Sequence, residues 1–429
     1  MPASRDEHKQ RLEQCLQTLQ PYPTGQFSGR GIVVCAGGPS LFTNAYVLIH
    51  LLRRVHNCRL PIEVWHFGDG EMSERMRLLL RELETDIVDA EAVLRIRPAP
   101  IENGWQLKSY TLMWSRFEQV LMLDADQVPL RDPTDLFELP GYRDTGALFW
   151  PDIVDLLDSN PIWQSCGLQP RGHPALESGQ LLIDKARHWS ALQIAAHLNE
   201  RASYYYGLLY GDKDTFLIAF LLAGADFALV PHRPFGDVPF CLQQRDMEGR
   251  PLFQHRTGAK WHYAGAQILQ GLPIEDECLH ALQDLRGRWN GLVFAPPARS
   301  PHARDAEARL TAARHFLLVI PGEDPVELEL LPEFEIGNGR APDRMNWHCE
   351  EAAGLVELVF SDAFSAVVRL AQGGSGRWLG TSTGGRDMHL AAQAVSGTLP
   401  RSRRDRDFET LRGTWPMPGR YSTDPELEI

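Results

Sequence analysis

Val120-Leu121-Met122-Leu123-Asp124-Ala125-Asp126-Gln127-Val128-Pro129 runs from four apolar residues straight into two carboxylates spaced i, i+2. The apolar run reads as a strand buried on both faces. Side chains alternate along a strand, so Asp124 and Asp126 are expected to project to one side. At the carboxyl end of a parallel strand, that side faces the crevice where open α/β sheets bind ligands. Two neighbouring carboxylates repel unless a cation lies between them. Oxygen ligands favour Mg²⁺ or Mn²⁺, and such an ion can neutralise a diphosphate and stabilise it as a leaving group. A solvated turn after a strand is the plainer reading of an isolated D-x-D.

The surrounding sequence alternates strand and helix. Ile32 to Ala36 is a short apolar run that breaks at Gly37-Gly38-Pro39, and Ser40 is placed to cap a helix with Leu41, Ala45, Leu48, Ile49, Leu52 and Val55 on its inner face. Ile62 to Phe67 predicts a second strand, Glu71 to Glu84 a helix and Ile87-Val88 a third strand. A helix over Leu107 to Phe117 precedes the Val120 strand; strands at Ala147 to Trp150 and Leu181 to Ile183 follow, with helices near Arg187 to Arg201 and Asp212 to Leu222. This order predicts an α/β fold, a mostly parallel sheet with helices on both faces.

After about Gly291 the pattern changes. Ala295 to Pro301 is rich in Pro and Ala and reads as a linker, and short β-like runs follow between 312 and 395. The expected organisation is an N-terminal helix over 1–27, an α/β catalytic domain over 28–290, a linker over 291–311, and a β-rich accessory domain over 312–429 with a loosely ordered tail. Trp347, His348 and Trp378 are possible contacts of that domain with glycan or a partner, although buried packing is the simpler account.

The chain has 43 basic and 56 acidic residues in 429, a net charge of −13. That balance argues against coating nucleic acid, which needs clustered Lys and Arg. No apolar run reaches the ~20 residues that cross a bilayer. The polar start, with Leu12, Cys15, Leu16 and Leu19 on one helical face, lacks the apolar centre of a secretory signal. The seven scattered cysteines include no C-x-x-C pair. Reduced thiols in a cytoplasmic protein are therefore expected.

A second chemical signal is Phe253-Gln254-His255-Arg256-Thr257-Gly258-Ala259-Lys260-Trp261. His255 could supply a third metal ligand, and imidazole suits Mn²⁺ better than Mg²⁺. Lys260 could meet phosphates, and Gly258 could let the backbone approach them. Trp105, Tyr110 and Trp261 could stack on a base or sugar, or simply pack the core. The Tyr204-Tyr205-Tyr206 run could border an acceptor groove or pack a loop.

The D-x-D after an apolar strand, followed much later by H-x-x-G-x-K-W, resembles the retaining glycosyltransferases of the GT-A fold, the glycogenin-like family among them. A closer resemblance is to the fungal α-1,3-mannosyltransferase family. It is carried by Gly31-Ile-Val-Val-Cys-Ala-Gly-Gly38, Leu60-Pro-Ile-Glu-Val-Trp65, Gly104-Trp-Gln-Leu-Lys108, Leu123 to Pro129, Glu177-Ser-Gly-Gln180 with Asp184-Lys185, and Gly211-Asp-Lys-Asp-Thr-Phe216. Those fungal enzymes carry an N-terminal membrane anchor and lack the C-terminal β domain.

The resemblance implies a metal-dependent retaining transferase. It would move a hexose, mannose first, from a nucleotide diphosphate sugar (GDP-mannose or a UDP-hexose) to a carbohydrate acceptor. Asp124, Asp126 and His255 would hold Mn²⁺ or Mg²⁺, with Asp124 also reaching the donor ribose. Ala36, Gly37 and Gly38 would line the nucleotide pocket, and Lys108, Gly258 and Lys260 would sit near the donor phosphates. Glu177, Gln180, Asp212 and Asp214 are candidates for the sugar pocket. Asp214 is the preferred carboxylate because Asp212 is placed to cap the helix after Gly211.

Two other classes remain open on the sequence. Val34-Cys-Ala-Gly-Gly38 superficially resembles the loop of a sugar-phosphate nucleotidylyltransferase, but Pro39-Ser-Leu-Phe42 follows where that loop turns basic, and pyrophosphate release would be its mark. A non-catalytic carbohydrate- or nucleotide-sugar-binding protein is the other; the intact Asp124, Asp126 and His255 argue against it.

Overall fold

A computed structural model describes residues 4–392 apart from 102–103, 171, 236–239, 264, 267, 270, 292, 294–299, 332–333, 335, 340–345, 362–365, 373–376 and 383–386. Most of the Ala295–Pro301 stretch, and the tail with Arg401 to Arg406 and Pro416 to Pro418, lie outside the described residues.

The first sheet contains β1 (Arg30–Cys35), β2 (Ile62–His66), β3 (Thr85–Asp89), β4 (Gln119–Asp124), β6 (Ala147–Asp155), β7 (Pro174–Asp184) and β8 (Ala228–Leu229), in the order β3-β2-β1-β4-β7-β6-β8. Four of its six pairings are parallel; β7 runs antiparallel to both β4 and β6. Alternate residues of each strand enter opposite cores. Ile32, Val34, Ile62, Val64, Leu121 and Leu123 pack on one face, beneath the helices Gly38–His50 and Glu74–Arg81. Val33, Trp65, Val120 and Met122 pack on the other, beneath the helices Gly104–Trp114, Lys185–Asn199 and Lys213–Ala223. This two-sided burial explains why the strands read as unbroken apolar runs, and it is the α/β architecture expected, a mostly parallel sheet with helices on both faces. Ser40 does not cap its helix. The helix begins two residues earlier, at Gly38, where φ is +65° and Pro39 fixes the next φ, and Gly37 takes the cap position.

A short antiparallel ribbon, in the order β5 (Gln127–Pro129), β10 (Pro251–His255), β9 (Leu242–Arg245), leaves the end of the sheet. The C-terminal region forms a separate seven-stranded antiparallel sheet between His315 and Ala392, with its own core in which Trp347 and Trp378 are buried. Part of the expected linker is helical: Pro301–Ala313 is a helix capped by Ser300, which accepts from Ala303 N–H at 3.1 Å. All seven cysteines are free thiols. Among the described residues, no helix is long and apolar enough to cross a membrane.

Lys185 opens the Lys185–Asn199 helix fully buried; its ammonium donates to Ser115 O at 2.6 Å and Met113 O at 3.2 Å and sits 3.9 Å from the Phe27 ring centroid. Burial pulls its pKa down to about 7, against the pull of Glu63 and Glu118. A base whose folded pKa is depressed costs most stability at and below the folded pKa, and the cost fades as pH rises toward the unfolded value. Wild-type stability in urea should therefore climb by up to a few kcal/mol between pH 7 and 10 from this group. Lys185→Met should flatten that slope; an identical slope in the two proteins would contradict the assignment.

Candidate functional site

The β1–β4 pairing sets Cys35 level with Asp124. Ala36, Gly37 and Gly38 therefore leave β1 at the same end of the sheet at which β4 releases its carboxylates. A side chain at Gly37 would displace the Glu71 carboxylate, which accepts from Phe67 N–H at 3.2 Å. The helix that follows has no side-chain cap on its first amides.

After Asp124 the chain turns through Ala125 and Asp126 into β5. The two carboxylates thus converge through a turn rather than by strand alternation. Antiparallel pairing of β5 with β10 sets His255 opposite Gln127, and Arg256 N–H donates to Asp126 O at 3.1 Å. His255 Nε2 lies 3.3 Å from Asp126 Oδ1 and 4.0 Å from Asp124 Oδ2. One ligand atom from each of Asp124, Asp126 and His255 lies within 4.8 Å of the others.

Positive side chains surround this group. Lys260 pairs with Asp126. Lys108, 4% exposed, lies 2.9 Å from Asp124 Oδ1 and 3.0 Å from Asp212 Oδ2, and donates to Ser178 Oγ at 3.1 Å and Ser178 O at 3.2 Å. Burial opposes its charge, but Asp124 and Asp212 outweigh burial and hold the ammonium well above its usual range. Burial pushes Asp124 up while Lys108 pulls it down. Asp126 is driven far below the usual carboxylate range, because His255 and Lys260 overcome its burial. His255 is raised well above an ordinary imidazole: burial opposes the charge, and Asp126 and Glu177 outweigh it. The ammonium groups of Lys108 and Lys260 thus bring positive charge to the two adjacent carboxylates. The donor set, two carboxylates and one imidazole, fits Mn²⁺ or a similar divalent cation.

Glu177 stands behind the imidazole, with Oε1 3.3 Å from His255 Nδ1; the same oxygen accepts from Gly179 N–H at 2.9 Å. Burial raises its pKa, but His255, Lys213 and that N–H hold it at about 2. Gln180, fully buried, accepts from Gln127 Nε2 at 2.9 Å and so braces the turn rather than joining the acidic group. Asp214 accepts from Leu176 N–H at 2.8 Å, and burial raises its pKa to about 6. Asp212 does not cap the helix as expected: its carboxylate goes to Lys108 and Ser178, while Asp214 bonds to strand backbone. The buried ammonium of Lys108 attracts Asp212 more strongly than free amides do. A Cβ at Gly258 would meet the Phe240 ring at 2.8 Å, so this glycine is needed for packing. Tyr110 and Trp261 are buried, whereas Trp105 is exposed.

Several supports lie outside the recognisable motifs. Asn44 holds Trp261 at both ends, accepting its N–H at 2.9 Å and donating to its carbonyl at 2.8 Å. Arg256, fully buried, pairs with Glu275 at 2.8 Å, donates to Ala259 O at 2.6 Å and lies 3.8 Å over the Trp261 ring. These contacts fix the loop that carries His255 and Lys260. Gly179 packs under the imidazole: an added Cβ would lie 2.3 Å from Gln127 Nε2 and 2.8 Å from His255 Nδ1. Gly179→Ala should therefore displace the imidazole and weaken Mn²⁺ binding about 10–100-fold, as loss of support behind a ligand typically does. Unchanged affinity by calorimetry would contradict this.

A family model described as "Mannosyltransferase putative" matches residues 29–165 and 168–236. Curated relatives include "Alpha-1,2-mannosyltransferase MNN21" of Candida albicans, 29% identical over 283 residues that cover 52% of this chain and 42% of the relative. "Alpha-1,2-mannosyltransferase MNN2" of Saccharomyces cerevisiae is 26% identical over 279 residues, 53% of this chain and 45% of the relative. The chain thus spans less than half the length of these two relatives. Their names carry an α-1,2 linkage, where the sequence resemblance implied α-1,3. A solved structure, the galactosyltransferase LgtC with donor and acceptor sugar analogs, is 16% identical with a TM-score of 0.40, covering 60% of this chain and all of that one.

Proposed function

We propose that this chain is a mannosyltransferase of the kind its relatives are named for, moving mannose from GDP-mannose to a hydroxyl of a carbohydrate acceptor with a divalent cation held by Asp124, Asp126 and His255. The observation that carries this reading is the meeting of those three side chains, from distant parts of the chain, at the end of the sheet beside the glycine turn. The relatives' names favour mannose and an α-1,2 product. Transfer breaks the bond between the anomeric carbon and the diphosphate oxygen and forms one to the acceptor oxygen. An α-linked product from an α-linked donor retains configuration.

The cation, when bound, supplies charge neutralisation of the departing diphosphate. The protein's own groups do the rest. Asp124 and Asp126 bring the negative charge that holds the ion, and Glu177 orients His255 through Nδ1 so that Nε2 faces the carboxylates. Lys260 offers its ammonium to the phosphates. The uncapped helix start at Gly37–Gly38 adds backbone N–H groups suited to phosphate. Lys108 holds Asp124 and Asp212 in one arrangement.

A direct test incubates the protein with GDP-mannose and UDP-hexoses, with and without Mn²⁺. The reading predicts Mn²⁺-dependent release of GDP, and stabilisation of the fold by GDP-mannose in a thermal-shift series. Equal response to every nucleotide sugar, or pyrophosphate release from a nucleoside triphosphate and a sugar phosphate, would contradict it.

A further inference from the structure

The cleft carries apolar side chains that the transfer chemistry above leaves unused. Trp105 is 56% exposed and Tyr210 is 70% exposed, and the exposed Ile153 and Val154 follow Asp152, the partner of Lys213, along β6. Single exposed apolar residues need no explanation, but several grouped around a polar cleft mark a binding surface. Trp105 sits one helical turn before Lys108, so the two share a helix face. Its ring packs against Gly211, where an added Cβ would come within 3.3 Å and where φ of +69° itself favours glycine. Its edge meets Tyr206 at 6.1 Å between centroids, and Tyr206 is anchored by its hydroxyl on Asn199 at 2.6 Å. Tyr210 lies 5.1 Å from Lys213 Nζ. Lys213 pairs with Asp152, and its Nζ is 3.9 Å from Glu177 Oε2. The aromatic rim therefore reaches the metal-ligand group through Lys108 on one side and through Lys213 and Glu177 on the other.

A pyranose has one face of C–H bonds and a circumference of hydroxyls. It is recognised by a flat aromatic ring with polar groups at its edge, and this rim presents two aromatic rings beside the partly exposed Lys213 ammonium. The diphosphate is already assigned to Lys260 and the glycine turn, so the occupant is not the nucleotide. We infer that Trp105 and Tyr210 form the seat of the acceptor, stacking on a pyranose of an α-linked mannose oligosaccharide while Lys213, held by Asp152, binds its hydroxyls. This rests on the glycosyl-transfer reading of the adjoining site.

The test uses the full chain with an α-linked mannotriose as probe, in wild type, Trp105→Ala, Trp105→Phe and Tyr210→Ala, each checked for an unshifted melting midpoint. Saturation-transfer NMR reads mannotriose binding without turnover. A GDP-mannose assay reads transfer to mannotriose relative to hydrolysis of the donor by water. Wild type should bind mannotriose. Trp105→Ala should lose the NMR signal and lower the transfer-to-hydrolysis ratio about tenfold, the scale of one aromatic contact, with Trp105→Phe between and Tyr210→Ala in the same direction. Mannotriose binding equal to wild type in both alanine variants, or no binding by wild type, overturns the proposal. So does a fall of hydrolysis in step with transfer, which would put the rim on the donor side. Wild type that binds mannotriose at Trp105 yet consumes no sugar nucleotide upholds the subsite and defeats the transfer reading instead.

Discussion

Asp126→Ala should lower Mn²⁺-dependent turnover of GDP-mannose by about 10³-fold or more while leaving a folded protein. Removal of one preorganised charge-stabilising group costs about 10²–10³ in comparable sites, and Asp126 would act on the ion itself. It faces both His255 Nε2 and Lys260, so its loss disarranges the two cations as well as deleting a ligand. Its backbone carbonyl still accepts from Arg256, so the β5–β10 crossing stands. His255 keeps Glu177, and Lys260 is a third exposed and can turn to water. Stability should therefore fall by no more than ~1–3 kcal/mol. Calorimetry should show Mn²⁺ binding lost in the variant. Turnover that survives Asp126→Ala, or that survives chelation in the wild type, would defeat the metal role.

Lys108→Met should damage both activity and fold. The ammonium is buried between Asp124 and Asp212 and held by Ser178. Without it, the buried Asp212 and the partly exposed Asp124 lose the ammonium between them, and breaking a buried pair by removing one partner costs about 3–5 kcal/mol. The urea midpoint should drop accordingly, and transfer should fall with it because Asp124 loses its fixed position. Adding Asp212→Asn removes one of the stranded charges and should recover part of the stability, a coupling expected for residues in one network. If the double variant is as unstable as the sum of the single ones, the lysine is a packing element and not an electrostatic one. The contrast with Asp126→Ala separates the two roles, both played by buried residues: one acts on the ion, the other holds the site together.

The parts of the molecule written in local pattern were legible before the structure was known. The apolar runs of β1, β2 and β4 require burial on both faces, and the carboxylates at the end of β4 could serve only the crevice. The parts set by distant pairing were not legible. Strand β7 shows an apolar signature only at Leu181 to Ile183; its polar first half, from Pro174, looks like a loop, yet Glu177 and Gln180 are buried there because β4 and β6 pair along it. Asp212 looked like a helix cap because the local rule ignores a lysine brought in from elsewhere. Asn44, Arg256 and Glu275 carried no motif; each matters because it meets the Lys260 loop in space. A signal did exist at Ser300-Pro301, a cap residue followed by proline at a helix start, but Pro- and Ala-rich composition hid it. The linkage, α-1,3 by resemblance and α-1,2 in the relatives' names, depends on how an acceptor lies in the cleft, which strand and helix patterns do not encode.

The most direct measurement is an anomalous-difference map at the manganese edge from crystals grown with Mn²⁺ and GDP-mannose. The account predicts one strong peak bounded by the side chains of residues 124, 126 and 255, with the diphosphate against it and Lys260 turned toward the phosphates. A donor bound with no peak there, or a peak held by other residues, would contradict it.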